Sequence, residues 1–487
     1  MATKIAVIVG SEQKGLYISI GRQLMESYSV LFLAENRDAG TVISRLCHPQ
    51  CPMIEVIPDP GLIHSPTTDT VSDAVKREKM YGITYSEIMS MDRGLGRGYM
   101  QNVDGYPWIK RADWGHHEKL ECLNVQFQFF EKCLSGVTLL ISQFPKIVPI
   151  TVCNYRSIKH FHLLQARYGE RMVWSDGDRF LSSTYIEGVE NHLEQSQTDP
   201  SGEFPLSQKY EHDAIGNELM VRALERVTIR SLVSDMVLTA YHTLLVLSLG
   251  RGKRNSYVRF TWLVVILKRY IHYHYILNKS VKPDAYKDDE VVYFPLHMEP
   301  EITLLQFCSE FNNVFEAIVW LSKALPSNKT LVIKENAKAF GHRTKFFYKK
   351  IRAMGNVVFS SPEISSEQWI QKSNFVVTIA GTVGEEAVSY CKPVIVFGYV
   401  QAVNYLPSVF LVKKYEDVRM AVEKIISGSV SQTDLETSRA ALSAVVLEHS
   451  FVLSGYVKQY NSSSLDEERG SIAITQLNKA YPNCLPT

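Results

Sequence analysis

From residue 291 to residue 426 the sequence alternates short strand-like runs with segments of helical spacing, and this alternation constrains the fold more than any other feature. The strand-like runs, apolar at their centres, cover residues 291–296, 330–334, 356–360, 375–380, 393–397 and 409–412. Helical segments near residues 304–325, 344–354, 365–373, 384–391 and 415–426 separate them. Strands covered on both faces read as continuous apolar runs, and strands joined through helices pair in parallel. The spacing therefore predicts a doubly wound parallel sheet, in which ligands meet the carboxyl ends of the strands. Those ends fall at His297, Lys334-Glu335, Ser360-Ser361, Gly381-Thr382 and Gly398.

The first half carries the same signal less regularly. Residues 5–10 form an apolar run ending in glycine, residues 16–25 show helical spacing, and residues 30–34 are apolar again, which together predict a βαβ unit. A helix is expected over 117–134, with residues 137–142 and 147–153 both strand-like. Residues 188–208 are rich in Glu, Gln, Ser and Pro, and a long helical region follows over 211–249. A chain of 487 residues exceeds the roughly 250–300 at which single cores stop growing. The expected fold is α/β, with two Rossmann-like domains facing a cleft: 1–282 with a helical insertion, 283–430, and a helical tail over 431–487.

A formal net charge of +1 supplies no global basic field, so nucleic acid is not an expected partner. No charged start followed by a long apolar run opens the chain, which predicts a soluble, cytoplasmic protein with reduced cysteines. Residues 236–250 fall short of the roughly 20 a membrane helix needs, and a buried core helix is expected there. Residues 251–282 carry eight Lys or Arg and no acid, interleaved with aromatics. That pattern predicts a basic helix packing its aromatics on the domain seam, or peripheral contact with an anionic membrane face. Cys47-His48-Pro49-Gln50-Cys51 lacks a second pair of ligands, so no metal is expected.

The strongest chemical signal is Gly381-Thr382-Val383-Gly384-Glu385-Glu386, a glycine-bounded turn between strand and helix whose backbone N–H groups suit a phosphate. Thr382 and Glu385 stand at capping-box spacing, which leaves Glu386 to accept hydrogen bonds from ribose hydroxyls. Lys334 ends a neighbouring strand, where it suits a phosphate or carboxylate, or a surface ion pair. His297 offers an imidazole with Glu299 and Glu301 close behind. In the first half, Asp92 stands in a glycine-rich loop with Arg93 and Arg97, positioned as a base or nucleophile beside two anion-holding guanidinium groups. Asp92 paired with either arginine would instead hold the loop. A second acidic cluster runs from Asp176 and Asp178 to Glu187, with a solvated turn as its plainer reading.

On these residues the chain resembles the bacterial capsule-polysaccharide biosynthesis proteins, a group that includes Kdo transferases and looks like the GT-B glycosyltransferases. The likeness rests on Tyr293-Phe294-Pro295-Leu296-His297 with Pro300-Glu301, on Leu325-Pro326 before Lys334-Glu335, and on Phe346-Phe347-Tyr348 before Asn356-Val357. Gly381-Thr382-Val383-Gly384 with Glu386-Ala387, and Lys392-Pro393-Val394 with Phe397-Gly398, complete it. The resemblance implies a metal-independent transferase that moves a sugar from a nucleotide-sugar, CMP-Kdo-like, onto a surface or capsular glycan. Residues 1–282 would hold the acceptor, and no cofactor beyond the nucleotide-sugar would be needed. The resemblance places Glu386, the loop from Gly381 through Thr382 to Gly384, Lys334 and His297 at the donor. By residue type and placement, Glu335 and Ser361 join them there, Asp92, Glu187 and His297 would act in catalysis, and Arg93 and Arg97 would hold acceptor or anion. Where the group reads Lys-Glu-His-Pro, this chain reads Lys334-Glu335-Asn336-Ala337. A sugar-nucleotide epimerase of the same fold and a non-catalytic carbohydrate-binding protein are the alternatives.

Overall fold

The computed structural model describes residues 4–10, 12–50, 52–58, 69–95, 102–103, 114–144, 146–179, 181–198, 224, 227–248, 260–311, 313–399, 401–455 and 464–485. Two seven-stranded sheets organise them. The first contains β1 (Lys4–Val9), β2 (Ser29–Ala34), β3 (Met53–Val56), β4 (Val137–Ser142), β5 (Lys159–Gln165) and β6 (Arg171–Ser175). The second contains β7 (Ser280–Val281), β8 (Val291–Pro295), β9 (Thr330–Lys334), β10 (Val357–Ser360), β11 (Ser373–Thr378), β12 (Val394–Val396) and β13 (Val409–Leu411). A two-residue strand near the C-terminus, β14 (Phe451–Val452), returns to the first sheet.

The second sheet is parallel throughout, in the order β13-β12-β11-β8-β9-β10-β7. Its pleat sorts side chains by parity. Val292, Phe294, Leu331 and Ile333 enter the hydrophobic layer on one side, and Val291, Tyr293 and Val332 enter the layer on the other. After β8 the chain winds outward through β9 and β10, then returns to β11 on the opposite flank and winds outward again through β12 and β13. The directions part between β8 and β11, which opens a crevice beyond their carboxyl ends. In the first sheet, β3-β2-β1-β4-β5 repeat this order in parallel, and β6 and β14 add antiparallel edges. The expected fold class, two Rossmann-like units, is present.

The halves share material. Leu164 and Val173 of the first sheet lie in one hydrophobic layer with Tyr293, Val376 and Val445. The helix Gln432–His449, started by a Ser431–Asp434 capping box, carries the chain back to the first half. Arg171 receives it there: its Nε donates to Ser450 Oγ at 2.7 Å, and its Nη2 to the Leu447 and Ser450 carbonyls at 2.9 Å. The helix Glu467–Ala480 then packs on Lys14–Leu24. The stretch 431–487, expected as a helical tail, thus supplies both a strand and a helix to the first half. The junction expected near Lys282 falls just after β7, which already belongs to the second sheet.

Three local expectations are corrected. Residues 147–153 are a helix, Ile147–Tyr155, not a strand. Val148, Pro149, Ile150, Val152 and Cys153 are all buried, so the helix has no polar stripe to reveal its period, and Pro149 sits in the first turn, where a missing N–H costs nothing. The polar stretch from Gly188 begins inside the helix Ser183–Thr198; its remainder, 199–208, lies outside the described residues, as do 211–223. The apolar tract from Met236 lies on the helix Ile229–Ser248 and is exposed instead of buried: Val237 is 62% and Leu244 60% exposed.

Candidate functional site

The ladder sets Pro295 of β8 opposite Lys334 of β9, and period two puts Lys334 on the Val332 face. That face carries the layer into which the helix Val383–Ser389 sends Val383 and Ala387. Lys334 is 5% exposed, and among the described residues its ammonium has no hydrogen bond and no ion-pair partner. Burial lowers its pKa from the ordinary 10.5 to about 8, against the upward pull of the Glu386 carboxylate on the facing helix. A buried ammonium without an acceptor, at the carboxyl edge of a parallel sheet, is a place for an anionic oxygen.

The loop after β11 is held from the strand side. Thr378 Oγ1 accepts the Gly381 N–H at 2.9 Å and meets His297 Nε2 at 3.3 Å. The Ala380 N–H also donates to His297 Nε2, at 3.3 Å. Because Nε2 accepts an amide hydrogen, the ring proton sits on Nδ1, which faces Glu301 at 3.8 Å. A Cβ on Gly381 would stand 2.8 Å from Thr378 Oγ1 and 2.9 Å from His297 Cε1, so only glycine fits. Gly384 is buried, with room for a Cβ at ordinary contact distance. His297, expected to take part in catalysis, is committed to holding this loop and is a positioning residue.

The capping box expected of Thr382 and Glu385 does not form. Thr382 has helical dihedrals and makes no side-chain cap bond, and Glu385 is buried, with its charge raising the pKa of Tyr185 in the first half after burial itself. Glu386 remains half-buried, and its charge reaches Lys334, Tyr293 and Tyr390.

Beneath the crevice lies a buried ionic knot. Arg343 is fully buried, and its Nε and Nη2 both reach the Glu335 carboxylate at 2.9 Å. Its Nη1 pairs with Glu299, and its Nη2 also donates to the His297 carbonyl at 2.8 Å. Tyr348 Oη at 2.8 Å and the Asn336 N–H at 2.8 Å complete the shell of Glu335. Burial pushes the Glu335 carboxyl up, and the Tyr348 hydroxyl and Asn336 amide oppose the rise. Glu335, expected at the donor, has every acceptor position filled and faces the protein instead; so does Glu299. Asn336, where the resembled group has histidine, accepts the Lys338 N–H at 3.0 Å and shapes a turn. Ser361, just past β10, is buried, and among the described residues its hydroxyl has no hydrogen-bond partner.

In the first half, Asp92 follows the helix Tyr85–Met91, which packs against Ile302–Phe307 of the second half. Its Oδ1 accepts the Gly94 and Leu95 N–H groups at 2.6 and 2.9 Å, so it holds its own loop through one oxygen. Arg93 is exposed, and Arg97 lies outside the described residues. Glu187 is exposed on Ser183–Thr198, where its charge acts on His449. Asp176 accepts the Ser183 N–H and hydroxyl at 2.9 and 2.7 Å. Asp178 meets His160 Nε2 at 3.2 Å, His160 Nδ1 meets His162 Nε2 at 3.1 Å, and His162 Nδ1 meets Ser142 Oγ at 2.8 Å. Asp176 is thus tied into the scaffold, while Asp178, exposed in a turn, keeps the solvated-turn reading.

Sequence reasoning missed Thr378 and Arg343. A threonine three residues before a strand-end glycine was the signal for the first. Arg343 follows Glu335 by eight residues in an irregular loop and carried no signal.

No family model matches the chain, and no curated protein matches it. Among solved structures, it is similar to UDP-GlcNAc 2-epimerase from Neisseria meningitidis bound to UDP-GlcNAc, at 12% identity over 98% of this chain and 100% of that chain, with a TM-score of 0.29. It is also similar to the Thermosulfurimonas dismutans KpsC beta Kdo 2,7 transferase, at 12% identity over 72% of this chain and 89% of that one, with a TM-score of 0.32. A third similar structure is Os79 from O. sativa in complex with UDP and deoxynivalenol-3-glucoside, at 10% identity over 98% of this chain and 100% of that chain, with a TM-score of 0.25. By its own strand order, the chain is an α/β protein of two Rossmann-like halves.

Proposed function

We propose that the chain is a glycosyltransferase that holds a nucleotide-sugar in the crevice beyond β8, β9 and β11 and passes the sugar to a glycan acceptor on the first half. The observation that carries this reading is Lys334, a buried cation without an acceptor among the described residues, facing Glu386 across the topological switch point of a parallel sheet. In this reading Lys334 meets the donor phosphate, Glu386 takes ribose hydroxyls, the N–H groups after Gly381 line the phosphate path, and Asp92 Oδ2 activates the acceptor. The resemblance set out above points to a CMP-Kdo-like donor and a surface or capsular polysaccharide.

Thermal-shift screening against CMP-, UDP- and GDP-sugars, followed by assay of acceptor-dependent nucleotide release, tests the proposal. Stabilisation by a nucleotide-sugar at 100 times its dissociation constant should reach about 2.7 kcal/mol. Conversion of donor without acceptor would assign an epimerase, and glycan binding with no turnover would assign a non-catalytic protein.

Glu386→Gln keeps the helix and removes the charge. Nucleotide affinity should fall about tenfold, the scale of one charge-assisted hydrogen bond, at an unchanged melting temperature. Calorimetry giving the parental affinity would remove the ribose role.

Asp92→Asn keeps Oδ1, so both loop N–H bonds survive. Turnover should fall about a hundredfold or more with donor affinity intact. Parental turnover in the folded variant would leave Asp92 with the loop alone.

A further inference from the structure

Beyond β5 the chain turns through Ala166, Arg167 and Tyr168, and this turn of the first half sits on the second. Ala166 and Tyr168 enter the hydrophobic layer that also holds Tyr293, Ala380 and Val383. Arg167 stands between them with left-handed backbone, at φ 57°, a region few side chains adopt. Its Nη1 donates to Gln165 Oε1 at 3.0 Å, which steadies the guanidinium at the seam.

On the other side of the seam is Glu301, the residue before the helix Ile302–Phe307. Burial pushes its carboxyl up, but the His297 ring, the charge of Arg167 and the Thr303 side chain outweigh burial and hold it below the usual carboxylate range. Glu301 Oε2 faces His297 Nδ1 at 3.8 Å, and His297 Nε2 accepts the Ala380 N–H at 3.3 Å. The two ends of one imidazole thus meet a carboxylate and an amide hydrogen.

That arrangement makes the tautomer of His297 a choice with a consequence. An acceptor at Nε2 requires the proton on Nδ1, and the carboxylate at Nδ1 selects that form. With the proton on Nε2 instead, the ring would set a donor against the Ala380 N–H and release the loop that Thr378 holds at Gly381. Arg167 keeps Glu301 charged and turned to the seam. We propose that Arg167 is a positioning residue supplied by the first half: through Glu301 it fixes the His297 tautomer, and through His297 it shapes the loop after β11. The loop then takes its form only while the two halves meet. Its bearing on donor binding rests on the function proposed above, whereas the shape of the loop does not.

Hydrogen exchange of the Ala380 and Gly381 amides in the full chain, without nucleotide, tests this. Asparagine accepts the left-handed backbone and carries no charge, so Arg167→Asn should exchange both amides about tenfold faster at a parental melting temperature. Arg167→Lys keeps the charge and should restore most of the protection. Glu301→Gln should match Arg167→Asn, because an amide that both donates and accepts no longer selects the tautomer. The double variant should exchange no faster than either single one, since all three break one path. In the same variants, calorimetry should show nucleotide-sugar affinity lowered about tenfold. Parental exchange in Arg167→Asn, equal loss in Arg167→Lys, or additive effects in the double variant overturns the proposal. If Arg167→Asn fails to fold, Glu301→Gln reads the path from the second half, and parental exchange there overturns it equally. A parent that binds no nucleotide-sugar would sink the function proposed above and leave the exchange rates to decide the role of Arg167.

Discussion

In Lys334→Met the nucleotide-induced thermal shift disappears, while the empty protein melts higher than the parent. The two effects share one cause. A drop in pKa from 10.5 to about 8 means that the fold disfavours the charged form by roughly 3 kcal/mol. The pKa is depressed, so the cost is fully present below about 8 and fades as pH rises towards the unfolded value. At neutral pH methionine fills the same space without that cost, and stability should rise by up to about 3 kcal/mol. A phosphate at the site would turn the same buried cation into an attraction, and its removal should cost on the order of a hundredfold in affinity or more. Parental affinity should be flat below about pH 8 and then fall about tenfold per pH unit, whereas the methionine variant should show no such slope. Calorimetric titration from pH 6 to about pH 9.5 covers the window in which Lys334 loses its proton. A variant that binds nucleotide with parental affinity and pH profile would leave Lys334 without a ligand role.

Arg343→Met should be the most damaging single change to the fold. It removes the cation held between Glu335 and Glu299 and frees the His297 carbonyl beneath the crevice. Breaking a buried pair by deleting one partner costs about 3–5 kcal/mol, because the remaining charge has no counterpart. The damage should depend on pH with a definite sign. Carboxyls whose folded pKa is raised lose stability as pH climbs from the unfolded value through the folded one, so the variant should regain stability as pH falls towards about 5. Adding Glu299→Gln and Glu335→Gln should recover much of the loss at neutral pH. Urea unfolding of the variants at two pH values decides it, and a parental midpoint for Arg343→Met would show that the knot does not hold the fold.

The second sheet was legible because parallel strands covered on both faces need no alternation, and 291–294, 331–333 and 375–377 are unbroken apolar stretches. The same property misled at 147–153, since a short helix buried all round looks identical in sequence to a buried strand. The exposed face from Val237 to Leu244 was equally hidden: an apolar stripe reports that a face avoids water, not what covers it. At the site, Lys334, Glu386 and the Gly381 loop could be placed from strand ends alone. Which way Glu335 points could not, because its orientation is set by Arg343 and Tyr348, each many residues away. That Thr382 would make no cap bond, and that Thr378 would hold the Gly381 N–H, depended on backbone dihedrals that the spacing of residues does not encode.

The return of the chain through Ser450 has a consequence for the order in which the molecule can assemble during synthesis. Every strand of the second sheet has emerged by Leu411, whereas the first sheet still lacks β14, and the helix on Lys14–Leu24 is still missing. Until residues 450–480 are made, Arg171 has no Ser450 to hold, and the Trp174 indole N–H lacks the Ala473 carbonyl that it meets at 2.9 Å. Domains usually fold from the N-terminus as they leave the ribosome. Here the first sheet is completed after the second, and its β6 edge has to wait for Phe451 and Val452.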